Sequence, residues 1–311
     1  MLPVSPLSHD AAVPSMDPVA AQRWMAQHPA VSPWLHEEVG RRMVERLGWI
    51  RQVPAAWMDW HPALGGWAAC HAVARHYENS DVFLPSALSL KAFDATKVDD
   101  SGVAGWWKRL TRRGPQVAGV DTRVDLLWAN MLLHGTAQPQ AMMAAWWARL
   151  QTHGWLMFSC LGPDSLRELS DVYRQQGWGE ACHAFTDMHD WGDMLVATGF
   201  AEPVMDVERM VLTYSSAERL LADLRGWGRN LSARRQRITR GRAWRQHLLD
   251  TLERDMPRDA DGRLQLTFEV IYGHAHRPEP RPKVAAQTAV SLQDMRQMLG
   301  STRKPSDPRD A

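Results

Sequence analysis

Four groups of residues in this 311-residue chain have side chains and spacings suited to chemistry. Asp59 ends a short apolar run, Ala55-Ala-Trp-Met-Asp59, and is followed by Gly65 and Gly66. A strand that delivers an acid into a glycine-containing turn is a way to bring backbone close to a bound cofactor. Asn130 and His134 follow a second apolar run, Val124-Asp-Leu-Leu-Trp-Ala-Asn130, where an Asn is also an ordinary helix cap and a His an ordinary surface residue. Asp187, His189, Asp190 and Asp193 gather an imidazole and three carboxylates, a set able to ligate a metal. Acids at the start of a helix account for the same cluster through the helix dipole, and no metal is expected. The fourth group is eight arginines without an acid between Arg225 and Arg245, among them Arg234, Arg235 and Arg237. Such a block is either a solvated face or a docking surface for an acidic partner. Nucleic acid is disfavoured, because only Trp227 and Trp244 interleave with it and the whole chain carries a net charge of +1.

These groups need a frame. From Pro33 to Ile50, Leu35, Val39, Met43, Leu47 and Ile50 recur at helical spacing, with Glu37, Arg41, Arg42, Glu45 and Arg46 between them. The Asp59 run reads as a first strand, Trp67–Tyr77 as a helix and Asp81–Leu84 as a second strand, which makes a βαβ unit. Residues 86–120 read as irregular. The pattern resumes with a strand at Val124–Asn130, a helix at Gln138–Leu150, a strand at Trp155–Cys160 and a helix at Asp164–Gln176. Trp191–Thr198 and Ser216–Trp227 read as helices, and Pro203–Leu212 and Leu264–His274 as strands. The alternation predicts an α/β fold, a doubly wound, mostly parallel sheet covered by helices on both faces. The proline-containing residues 1–20 and the proline-rich tail 277–311 are expected to lack structure.

Three cysteines without a CxxC pair fit a reducing compartment, and no apolar run approaches the ~18 residues of a membrane span. The first twenty residues do not read as a signal peptide. A cytoplasmic protein without membrane attachment is expected. The sixteen tryptophans, including the pairs Trp106-Trp107 and Trp146-Trp147, read as core and helix-covering residues rather than stacking platforms.

Several segments carry a family resemblance. Asn130-Met-Leu-Leu-His134 is similar to the region after strand four of class I S-adenosylmethionine-dependent methyltransferases, and Gly162-Pro-Asp-Ser-Leu-Arg-Glu-Leu169 to the segment after strand five. Phe185–Asp206 and Thr267–His276 look like two blocks of one branch, the malonyl-carrier-protein O-methyltransferases of the biotin pathway (BioC). The resemblance spans roughly residues 20–280, closely from 121 to 276 and poorly from 60 to 120. It implies a seven-stranded methyltransferase domain over 21–276 with a helical insertion after residue 215, at about 215–262. It also implies S-adenosylmethionine held near Asp59, Gly65, Gly66, Asn130 and His134. The acceptor it implies is an acyl carrier protein or acyl-CoA thioester, met by Arg234, Arg235, Arg237, Asp187, His189 and Tyr272.

The loop after strand one departs from the family. It reads Trp60-His-Pro-Ala-Leu-Gly-Gly66, with His61 and Ala63 in earlier glycine places, and Leu84-Pro85-Ser86 offers no carboxylate for a ribose. Methylation of a carboxylate needs no general base, since a group with a pKa of about 4 is already ionised at neutral pH. The missing catalytic dyad therefore excludes nothing. Two readings follow: a methyltransferase with a variant loop, or a catalytically silent homologue that keeps a binding or regulatory surface. They turn on whether Trp60, His61 and Leu64 fill the adenosyl pocket.

Overall fold

In the computed structural model, which describes residues 16–96, 114–236 and 241–280, the apolar runs pair into one seven-stranded sheet. Its strands are β1 (Ala56–Asp59), β2 (Asp81–Leu84), β3 (Gln116–Val117), β4 (Val124–Ala129), β5 (Leu150–Leu161), β6 (Ala201–Tyr214) and β7 (Leu264–His276). Their order is β3-β2-β1-β4-β5-β7-β6, parallel from β3 to β5, with β7 antiparallel to both neighbours. The expected doubly wound, mostly parallel seven-stranded sheet is the one that forms. From β1 the chain builds outward to β2 and β3, and from β4 outward to β5. The crevice for a ligand in such a sheet lies at the carboxyl ends of β1 and β4, where that direction reverses.

Ten helices are described: α1 (Pro18–Met25), α2 (Trp34–Leu47), α3 (Pro62–Gly65), α4 (Trp67–His76), α5 (Ala87–Ala95), α6 (Pro139–Arg149), α7 (Arg167–Gln175), α8 (Met188–Thr198), α9 (Ala217–Trp227) and α10 (Arg242–Asp255). Strand alternation sorts the core. Trp57, Leu126, Trp128, Trp155 and Met157 face α2, α4, α7, α9 and α10, while Met58, Leu127, Ala129, Leu156, Phe158 and Cys160 face α1, α6 and α8. Leu35, Val39, Met43 and Leu47 of α2 are buried as their spacing predicts, and Arg41 pairs with Glu38 and Glu45 on the outer face.

Tryptophan does the work of phenylalanine in this core. Trp57, Trp128, Trp146, Trp155 and Trp191 are fully buried, and each takes roughly 200 Å² out of water, worth about 5 kcal/mol before entropy is counted. The indole N–H groups of Trp57, Trp128, Trp146 and Trp155 have no hydrogen-bond partner among the described residues, while that of Trp191 meets the Cys160 sulfur. The apolar gain exceeds the loss of about 1–3 kcal/mol from each unmade bond. Trp147, next to Trp146, instead covers the surface beneath the Arg277 guanidinium, 3.7 Å away.

Structure begins earlier than residue 21. Asp17 caps α1 by accepting the N–H groups of Val19 and Ala20, Pro18 supplies a preformed first turn, and the Arg235 guanidinium holds Asp17 at 2.7 Å. Part of the stretch read as irregular is α5, which Ser86 caps by accepting Ser89 N–H at 3.1 Å. Residues 1–15, Trp106-Trp107 and the tail from 281 lie outside the described residues. No described helix is long and apolar enough to cross a membrane.

Candidate active site

Two neighbouring places at the carboxyl ends of the strands are built in opposite ways. The first is the end of β1. Its apolar residues draw the strand into the sheet and leave Asp59 1% exposed at the strand end. Asp59 Oδ1 accepts His61 N–H at 3.0 Å, whereas Oδ2 has no hydrogen-bond partner among the described residues. Burial pushes the carboxyl pKa up to about 7; His61 N–H and the Cys70 thiol oppose that shift and the nearby Glu37 adds to it. His61 then turns the chain into α3, with Nε2–H donated to Met25 O at 2.8 Å and Nδ1 accepting Leu64 N–H at 3.4 Å. Pro62 starts that turn, and Ala63 and Leu64 are buried, at 2% and 1% exposed. Trp60 turns instead towards Trp146, the rings meeting edge-on at 6.3 Å.

Both loop glycines are spent on protein contacts. A Cβ on Gly65 would lie 3.1 Å from Asn130 O, and one on Gly66, whose φ is +121°, would lie 2.6 Å from Glu37 Oε2. The Glu37 carboxylate reaches over from α2 and accepts Ala68 N–H at 3.1 Å and Ala69 N–H at 3.0 Å, while Ser32 Oγ accepts Trp67 N–H at 3.0 Å. These are the free N–H groups at the start of α4, a natural anion site. Asn130 fastens the assembly: its Nδ2 donates to His36 O at 2.7 Å and to Gly65 O, and its Oδ1 accepts Ser159 Oγ–H at 2.6 Å. His36 Nδ1–H donates to Leu64 O at 2.7 Å, and burial lowers its pKa to about 4, so the ring is neutral. S-adenosylmethionine does not fit this arrangement. Leu64 of the loop it would line is itself buried and held by His36, Glu37 occupies the α4 donors, and Ser86 at the end of β2 is committed to capping α5. Asp59, with no well-formed hydrogen bond to its Oδ2 and only the weak Cys70 thiol besides His61 N–H at its carboxylate, is the group there that would accept from a ligand.

The second place, beyond the ends of β4 and β5, is hollow. A cavity of about 260 Å³ is walled by Leu35 and His36 of α2, by Met131, His134 and Leu161 beyond the strands, and by His183, Phe185 and Trp227 opposite. Leu161 N–H donates to His134 Nδ1 at 3.3 Å, which places the remaining ring proton on Nε2. Burial holds the His134 pKa well below its ordinary value, with His36 and His183 adding to the effect. His183 Nε2–H donates to His134 O at 2.7 Å, and its Nδ1 has no partner among the described residues. Trp227 meets Trp34 edge-on at 5.0 Å, and Arg225 and Arg229 reach the rim. An outer cleft of about 540 Å³ shares Cys182, His183 and Phe185 with this cavity and carries Arg167, Arg174 and Arg234, which pair with Asp164, Asp171 and Glu180. The surroundings can seat an apolar chain with a few polar groups; burial raises the Cys182 pKa, so a thiolate is not available.

The residues read from sequence divide between these places. Asp59, Gly65, Gly66 and Asn130 meet at the packed end, and His134 lines the cavity. Arg234 stands in the outer cleft, Arg235 is tied to Asp17, and Arg237 lies outside the described residues. Asp187 caps α8 and pairs with the exposed His189 ring at 2.6 Å; no metal-holding group of His, Cys, Asp or Glu exists among the described residues. Tyr272 sits within β7 under the Arg46 guanidinium, 3.8 Å away, and does not line the cavity. His36, Glu37, His183, Phe185 and Trp227 were not singled out. Glu37 reads in sequence as one more charge on the polar face of α2, and nothing local marks it.

No family model matches the chain. It is 37% identical over 261 residues to the malonyl-acyl-carrier-protein O-methyltransferase of Laribacter hongkongensis, covering 80% of this chain and 84% of that one. It is 34% identical over 257 residues to the enzyme of the same name from Gallionella capsiferriformans, covering 79% and 85%. Among solved structures it is similar to the YcgJ protein of Bacillus subtilis, with a TM-score of 0.48 and 9% identity over 78% of this chain and 99% of that one. A second is the N-methyltransferase NodS of Bradyrhizobium japonicum, with a TM-score of 0.38 and 12% identity over 85% and 99%. The structural likenesses are distant, and it is the sequence relatives, matched over most of their length, that place the chain in the malonyl-acyl-carrier-protein O-methyltransferase family.

Proposed function

We propose that this chain is an S-adenosylmethionine-dependent O-methyltransferase of biotin synthesis that esterifies the free carboxylate of a malonyl thioester carried by an acyl carrier protein. The observation that carries this reading is the 37% identity to a malonyl-acyl-carrier-protein O-methyltransferase over 80% of the chain. The hollow at the ends of β4 and β5 supports it. A thioester arm is mostly apolar with a few amide and carbonyl groups, and the cavity offers apolar walls, a His134 Nε2–H donor and a His183 Nδ1 acceptor. The acceptor carboxylate is ionised at neutral pH, so the residues around it have to orient it and exclude water rather than remove a proton.

Arg225 and Arg229 at the rim, with Arg234 in the outer cleft, supply positive charge where an acidic carrier would approach. Arg235 holds Asp17 and belongs to the scaffold in this reading. An acyl-CoA thioester presents the same arm and is the second acceptor to try. Three unpaired cysteines are in keeping with a cytoplasmic setting. The test is incubation with malonyl-acyl carrier protein and S-adenosylmethionine labelled in its methyl group, followed by mass analysis of the carrier. The expected product is a carrier-borne methyl ester. A folded sample that binds the malonyl carrier and forms no ester at stoichiometric enzyme would overturn the reading.

A further inference from the structure

The reaction needs a methyl donor, and the end of β1 is packed shut by the protein's own groups. We infer that Glu37 is an internal competitor for the cofactor: its carboxylate holds the α4 donors, and α2 must move away from α4 before S-adenosylmethionine can enter. The inference rests on the methyltransferase reading and adds to it the residue that controls entry.

Two independent observations meet here. The first is the occupied helix terminus, where the Ala68 and Ala69 N–H groups end on Glu37, and Ser32 takes Trp67 N–H. The second is Asp59, an acid buried to 1% exposure whose carboxylate meets His61 N–H and the weak Cys70 thiol, and whose Oδ2 lacks a well-formed hydrogen bond among the described residues. A buried carboxylate oxygen with no better donor nearby than a thiol is unfavourable, and it is what a ligand bearing hydroxyl or ammonium groups would satisfy. Glu37 is not placed as that donor, because both of its oxygens accept α4 N–H groups.

The packing leaves no room for both occupants. A Cβ on Gly40 of α2 would lie 2.4 Å from Ala69 Cβ, so the two helices touch along the seam at which Glu37 crosses. His36 is held to Leu64 O, and Asn130 joins His36 O to the loop. The closed form is therefore one hydrogen-bonded unit, and cofactor affinity is reduced by the fraction of molecules in which it has opened.

The experiment titrates wild type, Glu37→Gln and Glu37→Ala with S-adenosylhomocysteine by calorimetry, with circular dichroism to establish that each variant is folded. The glutamine keeps the shape and one acceptor but removes the charge, so it serves if the alanine variant fails to fold. Glu37→Ala should bind at least about tenfold more tightly than wild type, with Glu37→Gln between them. Hydrogen exchange in α2 of the wild type should rise when the ligand is added. Equal or weaker binding by both variants, or protection of α2 by the ligand, overturns the inference. Methyl transfer to the malonyl carrier separates it from the reading beneath: tighter binding without ester removes the acceptor and leaves Glu37 in its role. Ester formation by wild type, with no gain in affinity for the variants, does the reverse.

Discussion

The carboxyl ends of β1 and β4 lie side by side in the middle of the sheet, yet one is solid and the other hollow. At β1, His61, Ala63, Leu64 and Glu37 fill the crevice and nearly every polar atom finds a protein partner. At β4 and β5, His134, His183 and Phe185 stand around about 260 Å³ of space, and His183 Nδ1 is left without a partner. The same topology offers a crevice in both places. Side-chain volume and hydrogen-bond commitment after the strand decide whether it becomes core or pocket.

The largest test of the solid end is Asn130→Ala. It strips His36 O, Gly65 O and Ser159 Oγ of a partner inside the protein, and a loss of about 3–5 kcal/mol in unfolding free energy is expected from denaturant titration. A loss under about 1 kcal/mol would show that this end is not the rigid unit described.

The second test is pH. Asp59 titrates near 7 in the fold against 3.8 ordinarily, so the folded state keeps a proton that the unfolded chain has released. Its contribution is present below about pH 4 and is lost as pH rises to about 7, on the order of a few kcal/mol. The buried His36 acts oppositely: its pKa is lowered from 6.5 to about 4, and stability is lost as pH falls through that window. The stability of wild type relative to Asp59→Asn, followed by urea midpoint, should therefore decline steadily from pH 4 to 7. A flat difference would mean that Asp59 is solvated.

At the hollow end, Leu221 of α9 also lines the cavity, and Leu221→Trp should fill space rather than strain the core. Turnover of malonyl-acyl carrier protein should fall about tenfold or more while unfolding free energy changes by less than about 1.5 kcal/mol. A destabilised protein with unchanged turnover would place the acyl group elsewhere. The smallest effect belongs outside both regions: Asp187→Ala removes the α8 cap and should lower stability by about 1 kcal/mol with no change in turnover. A large loss of turnover would return Asp187 to the substrate site.

The sheet was legible because β1, β4 and β5 are continuous apolar runs between turns, a pattern that survives without tertiary knowledge. α5 was not, since Ala87–Ala95 has little amphipathic contrast and only the Ser86 cap marks its start. β3, two exposed residues long, leaves no pattern at all. At the site, Asp59, Asn130 and His134 could be picked out from their places after strands. Their tasks could not, because the partners of Asn130 lie on α2 and on the loop after β1, far away in sequence. The missing glycines announced that the loop was altered; that Glu37 had taken up the freed donors appears only when α2 is laid against α4.

Three consecutive residues of α2 divide between two tasks. Leu35 and His36 wall the hollow, and Glu37 plugs the neighbouring helix terminus. A ligand on either side therefore acts on the same turn of helix, and the two binding equilibria share one mechanical element. Thermodynamic reciprocity then applies: whatever factor an acyl carrier imposes on cofactor affinity, the cofactor must impose on the carrier. If a seated thioester shifts that turn, substrates will add in a preferred order, and the methyl donor will be admitted chiefly to enzyme that already holds its acceptor.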